Sequence, residues 1–294
     1  MPLRVGCRAD DADKHEFDIN FLLYHKGKLY SAGDDGKIMV WASDLKKIAE
    51  VQSNPCSVYC LAANEDTLFS CSNEGTIKSF ELGTLKEKEE LVRDTQMEFW
   101  RLSYSNGCLY SGDSEGNVKV WKDGQFYGSL NVAEAIKDMV VYKHLIFTVK
   151  DLDLIISDVK LDGEKLQFGT KNSFMGRAPV TIVGDKYFSF ISREGMDILL
   201  HENNSDSHFK LVTKVQGAHE KIINALAGAK WQEKNLIFSG GWDKQLKRWN
   251  VEADEMKPDS SCDLEIVINA IAIGDQGEVY VGGGDGHLVR VEVE

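Results

Sequence analysis

Apolar and polar residues alternate along this chain in short runs interrupted by turn residues, and the whole arrangement returns seven times. The clearest copies are LYSAGDDGKIMVW from Leu29, LFSCSNEGTIKSF from Leu68 and LYSGDSEGNVKVW from Leu109. Each is an apolar run, a serine, a turn triplet and a second alternating run that ends in an aromatic. Weaker copies begin at Ile146, Tyr187, Ile237 and Val279. Alternation with a period of two marks a strand, and Asx-Gly pairs supply the positive φ that a tight turn between strands needs. The first unit therefore predicts an inner strand over Ile19 to Tyr24, a second over Leu29 to Gly33, a tight turn at Asp34-Asp35-Gly36, a third strand over Lys37 to Trp41 and an outer one over Ile48 to Gln52.

The turn positions Gly36, Gly75, Gly116, Asp153, Gly195, Lys244 and Gly286 follow one another at intervals of 37 to 49 residues. A period near forty built from strand-turn-strand units is the signature of a blade array, in which each unit buries its apolar faces only against its neighbours. The expected fold is all-β: a seven-bladed β-propeller with four antiparallel strands per blade. Seven units use nearly all of the 294 residues, so residues 1–294 read as one propeller domain. The last unit lacks a fourth strand, and Leu3 to Arg8 precedes the first inner strand with Leu3, Val5 and Cys7 alternating inward. Pairing that segment onto blade seven as its outer strand would remove the open edge of an unclosed ring. The polar stretches Glu252 to Asp263 and His201 to His208 read as loops.

Composition narrows the function. Hydrophobic residues make up 43% and prolines number four, so the chain has material for a core and no sign of disorder. A net charge of −13 opposes any task built on neutralising phosphates, so direct nucleic-acid binding is not expected. The opening residues MPLRVGCRADDADKHEF hold no apolar run, and no uninterrupted apolar stretch is long enough to cross a bilayer. The expectation is a soluble protein of the cytoplasm and/or nucleus, with no membrane insertion. Its six cysteines should then stay reduced. Cys56, Cys60 and Cys71 hint at a metal site, but Cys60 and Cys71 fall inside strands and no second pair completes a ligand set.

Within the pattern, the sixth unit, GAHEKIINALAGAKWQEKNLIFSGGWDKQLKRWN from Gly217, resembles a WD repeat. In that family a histidine, serine, aspartate and tryptophan form a hydrogen-bonded tetrad; the resemblance places His219, Ser239, Asp243 and Trp249 in those roles. The first unit matches with His15, Ser31, Asp35 and Trp41. Unit two keeps Ser70 with Glu74 and Phe80; unit three keeps Ser111 and Trp121 with Glu115 in the acid position; neither has the histidine. Units four, five and seven keep little beyond apolar alternation and turn residues.

Two Ser-His-Asp sets imitate a hydrolase triad, but they recur with a tryptophan partner, which one active site would not require. Gly112 to Gly116 fits the G-x-S-x-G elbow, yet lies between two strands and not between a strand and a helix. No catalytic, cofactor-binding or metal-ligating residues are expected, and the chain reads as a non-enzyme.

The resemblance implies that partners bind at the rim of the central channel, on the face bearing the blade turns and the starts of the inner strands. There the repeat places Asn20, Tyr59, Trp100, Lys137, Asn224 and Asn269 at strand starts, Asp18 and Glu98 just before them, and Asp34, Arg193 and Trp242 in turns. Tyr59, Trp100 and Trp242 are the expected aromatic anchors. Asp18, Asp34 and Glu98 form an acidic side that favours a basic peptide. The expected function is a non-catalytic scaffold for other proteins. Alternatives are an enzyme or small-molecule binder with a site in the channel, and a substrate-receptor subunit of a ubiquitin ligase or other multiprotein assembly. Phosphoinositide binding, which in propellers of that kind relies on paired arginines, is disfavoured because the chain has no Arg-Arg.

Overall fold

A computed structural model describes residues 2–162 and 165–293. It contains seven four-stranded antiparallel sheets, and six of them are built from strands consecutive in sequence. Blade 1 consists of Ile19–His25, Lys28–Gly33, Lys37–Trp41 and Lys47–Gln52, so its strands extend the alternating runs by a residue or less. Blades 2 to 6 occupy residues 58–93, 99–131, 138–175, 177–215 and 223–263. The seventh sheet differs. Its order is Leu3–Arg8, Leu288–Val293, Val279–Gly283, Ile268–Ile273, so the N-terminal strand is the outer strand of the last blade. Leu3 pairs with Val293 and Arg8 with Val289, and Leu3 is buried among residues of blades 6 and 7.

The ring is visible in the core. Among the described residues the buried apolar side chains form seven clusters, one between each pair of neighbouring blades. The cluster that closes the circle joins Ile19, Leu29 and Trp41 of blade 1 to Ala270, Tyr280 and Leu288 of blade 7. A blade sandwiched in this way is dry on both faces. The second strands Leu145–Val149 and Tyr187–Ile191 are accordingly buried at every position, whereas the outer strand of blade 1 alternates between half-buried and exposed residues. Gly36, at φ +74°, fits the turn of blade 1 because a Cβ there would lie 2.0 Å from the Asn54 carbonyl oxygen.

Three expectations are corrected. Glu252 to Asp263 is not a loop: Glu255–Asp263 is the outer strand of blade 6, paired to Gln245–Glu252 through a turn at Ala253-Asp254. Its polar composition reflects a strand facing water, not an absence of pairing. His201 belongs to the strand Ile198–Glu202 and is buried. Asp153 is the first residue of a strand, and the turn before it occupies residues 150–152. The one 3-10 turn, Gly284–Gly286, and the absence of any long helix mean that no helix of the described residues could cross a membrane.

Candidate functional site

One face of the ring carries both sets of loops that surround the channel, and a recurring backbone bond ties them together. The amide of a turn residue donates to the carbonyl just before the inner strand: Asp34 to Asp18, Asn73 to Ser57, Ser114 to Glu98, Trp242 to Ile222 and Gly284 to Val267, at 2.9 to 3.3 Å. Turns and strand starts therefore share one surface, the channel mouth. Six inner strands also shift register near their first residue. In five of them the unpaired residue is Asn20, Tyr59, Trp100, Asn224 or Asn269. In blade 5 the pairing skips both Ala178 and Pro179. A bulge removes a residue from the ladder and re-aims its side chain; here it does so at six of the seven strand starts, the inner strand of blade 4 pairing without a shift.

The mouth side chains divide into three groups. The asparagines bond to one another and to the acids: Asn224 Nδ2 donates to Asn269 Oδ1 (3.3 Å), Asn269 Nδ2 to Asp18 Oδ2 (3.2 Å), and Asn20 Nδ2 to Asp34 Oδ1 (2.7 Å) and the Val58 carbonyl (3.2 Å). The aromatics cluster: Tyr59 meets Trp100 edge to face at 6.3 Å, Trp100 Nε1 donates to Glu98 (2.6 Å), and the Lys137 ammonium sits 3.9 Å above the Trp100 ring. Burial, with the nearby Glu98 and Asp34 charges, pushes the Tyr59 hydroxyl above its ordinary pKa. Phe17, Ile222 and Trp242 stand 58%, 39% and 53% exposed on the same face, and Arg193 is exposed in the blade 5 turn.

Below the mouth the channel forms a cavity of about 370 Å³. The charged residues lining it are Arg101 and Asp138, which pair with each other at 2.9 Å. Asp138 also accepts the Val180 amide, linking blades 3, 4 and 5. Arg101 thus lies in the channel wall.

Away from the mouth, two side-chain chains cross the inter-blade layer. In blade 6, Trp249 Nε1 donates to Ser239 Oγ (2.8 Å), Ser239 Oγ lies 2.7 Å from His219 Nε2, and His219 Nδ1 lies 2.9 Å from Asp243. Blade 1 repeats this with Trp41, Ser31, His15 and Asp35 at 2.9, 2.7 and 2.9 Å. The indole donates to the serine oxygen, the carboxylate accepts from Nδ1–H, and the serine hydroxyl is placed to bond Nε2. Burial lowers the His219 pKa despite the opposing pull of Asp243; for Asp35, burial alone would raise the pKa, but hydrogen bonds led by His15 hold it below the usual value.

Unit three uses a different carboxylate from the one expected. Glu115 is exposed, whereas Asp113, two residues earlier, is fully buried and accepts the Glu115 and Asn117 amides at 3.0 and 2.8 Å. In unit two, Ser72 stands at that same place and bonds Thr76, which reaches Asn54. The reason is steric: at the corresponding Gly33, a Cβ would come within 2.8 Å of His15 Nδ1. In blades 2 and 3, which lack the histidine, a side chain from the strand takes that place. Cys60 and Cys71 are cross-strand partners in the core between blades 2 and 3; burial pushes the Cys60 thiol up to about 11.

Residues 210–250, which contain the His219 tetrad, match the family model "WD domain, G-beta repeat". The chain is a seven-bladed β-propeller whose sixth blade carries a WD repeat. Among solved structures, the propeller is similar to the WD40 domain of Doa1 (TM-score 0.79, 17% identity, covering 99% of this chain and 97% of that one). It is likewise similar to U3-55K (TM-score 0.80, 14% identity, 99% and 98% covered). A curated relative, the target of rapamycin complex subunit wat1 of Schizosaccharomyces pombe, is 26% identical over 117 residues, 37% of this propeller and 36% of the relative. The matched segment thus spans about a third of that protein's length.

Proposed function

We propose that this propeller is a non-catalytic interaction module that holds one or more partner proteins through a peptide segment laid across the channel mouth. The observation that carries the reading is the aromatic and apolar rim: Phe17, Ile222 and Trp242 stay exposed on the same face as the half-buried Tyr59–Trp100 pair. Grouping such side chains at one rim leaves apolar surface in water that a partner would cover. Asp18, Asp34 and Glu98 favour a basic residue in that partner, and the bulged asparagines Asn20, Asn224 and Asn269 offer amide oxygens and protons to its backbone. Similarity to a protein named as a complex subunit agrees with an assembly role, of which a substrate receptor is one form. We place the protein in the cytoplasm and/or nucleus, with no nucleic-acid ligand. Against an enzyme in the channel, the charges lining it are one arginine and one aspartate, already committed to each other.

Affinity capture from cells, with the wild type beside a Trp100→Ala/Tyr59→Ala double variant and a Trp242→Ala variant, tests the proposal. Partners should be lost from variants whose melting transition stays cooperative. Recovery of the same partners by all three proteins refutes the rim assignment.

A further inference from the structure

The mouth is polarised across its diameter. Blade 1 contributes Asp18 and Asp34, and the adjoining turn of blade 7 adds Asp285, whose amide donates to Asp18. In a ring of seven, blades 4 and 5 lie opposite blade 1. There a second cavity of about 280 Å³ opens at the mouth, with Arg101, Lys137, Arg177 and Asn224 in its wall and Asp151 as its single carboxylate. Arg101 is matched by Asp138. Among the described residues, Lys137 and Arg177 form no ion pair or side-chain hydrogen bond, and Lys137 only caps the Trp100 ring. The Arg177 guanidinium reaches over the neighbouring turn, with Nη1 3.3 Å from where a Cβ on Gly195 would stand. That same turn carries the exposed Arg193, also without an ion pair among the described residues.

In a chain with 47 acidic and 34 basic residues, what sets this place apart is that Lys137, Arg177 and Arg193 gather at one side of the mouth. Among the described residues, about half of the lysines and arginines form ion pairs, as Lys37 does with Glu16 and Lys214 with Asp197. Like charges left unpaired around one pocket repel, and an anion relieves that repulsion. Arg177 offers a planar fork suited to a carboxylate, and Lys137 a point charge beside an aromatic platform.

We infer that the blade 4–5 side of the mouth is an anion subsite for the carboxylates of an acidic peptide segment. Together with the acidic arc on blade 1 it fixes the direction of a segment crossing the channel, its acidic end over Lys137 and Arg177 and its basic end over Asp18 and Asp34. The inference rests on the mouth being the peptide-binding face, but the subsite can be tested alone.

The probe is fluorescein-labelled hexaglutamate, measured by fluorescence anisotropy against the whole chain at 20 mM and 150 mM NaCl, with hexalysine and a hexauridine RNA as comparators. Binding of hexaglutamate to a protein of net charge −13 requires a local cationic site. It should weaken about tenfold on Lys137→Gln/Arg177→Gln substitution and fall with salt. The same double variant should bind hexalysine no less well, whereas Asp34→Asn should weaken hexalysine alone. Failure of hexaglutamate to bind at low salt, indifference to the double substitution in a protein of unchanged melting temperature, or tighter binding of the RNA would overturn the inference. If hexaglutamate binds as expected while the Trp100→Ala/Tyr59→Ala variant keeps every partner, the subsite stands and the broader reading of the mouth falls.

Discussion

Replacing His219 by alanine removes the middle link of the blade 6 tetrad. The imidazole is fully buried, 2.7 Å from Ser239 and 2.9 Å from Asp243. Its loss leaves the Asp243 carboxylate, whose side chain is 5% exposed, with only the longer bonds from the Glu220 and Gln245 amides at 3.2 Å. Ser239 keeps the indole proton but loses its acceptor. A neutral hydrogen bond contributes about 1 kcal/mol and one to a charged group about 1.5–3 kcal/mol, so the expected cost is about 3 kcal/mol. In a chain of this size that lowers the melting temperature by about 5 °C. Scanning calorimetry of His219→Ala, Asp243→Ala and the double variant checks it. The double variant should lose about 1–2 kcal/mol less than the sum, because the two singles break one shared bond. Strict additivity, or a shift below about 2 °C for His219→Ala, would show that the tetrad contributes nothing beyond filling space.

Other outcomes follow from the same structure. Deleting residues 1–9 strips the outer strand from blade 7; losing the burial of Leu3 alone should cost about 2 kcal/mol, and an unchanged calorimetric transition would refute ring closure through that strand. Asp113→Ala should destabilise by about 2 kcal/mol while Glu115→Ala stays within about 0.5 kcal/mol, as urea titration would show; the reverse order would restore Glu115 as the acid of unit three. His201 and His219 are held neutral by burial, below the ordinary 6.5. The unfolded chain therefore takes up more protons below that value, and stability present above about pH 6.5 is lost as pH falls. Urea midpoints between pH 8 and 5 should drop on the acid side, and His201→Phe should remove one histidine's share of the slope.

Blade count and ring closure were legible because strand alternation, turn glycines and a fixed period all report backbone geometry, which repeats. The tetrad residues of blades 1 and 6 could be named because those units resemble a WD repeat at the four positions concerned. Asp113 could not. Its role depends on a missing histidine that sits elsewhere in sequence, and only the contact between Gly33 and His15 shows why the strand position matters. The outer strand Glu255–Asp263 was hidden by its own solvent exposure. The cationic arc was hidden by sequence neighbours: Asp138 beside Lys137 looks like its partner, but the fold gives Asp138 to Arg101.

The register shifts at the strand starts have a consequence for how such a surface diversifies. Asn20, Tyr59, Trp100, Asn224, Asn269 and the Ala178-Pro179 pair occupy equivalent places although they range from amide to indole to proline ring. Because none of them is held in the ladder, a change there need not disturb the wall behind it. The wheel can keep its spokes while the hub is recut for another shaft.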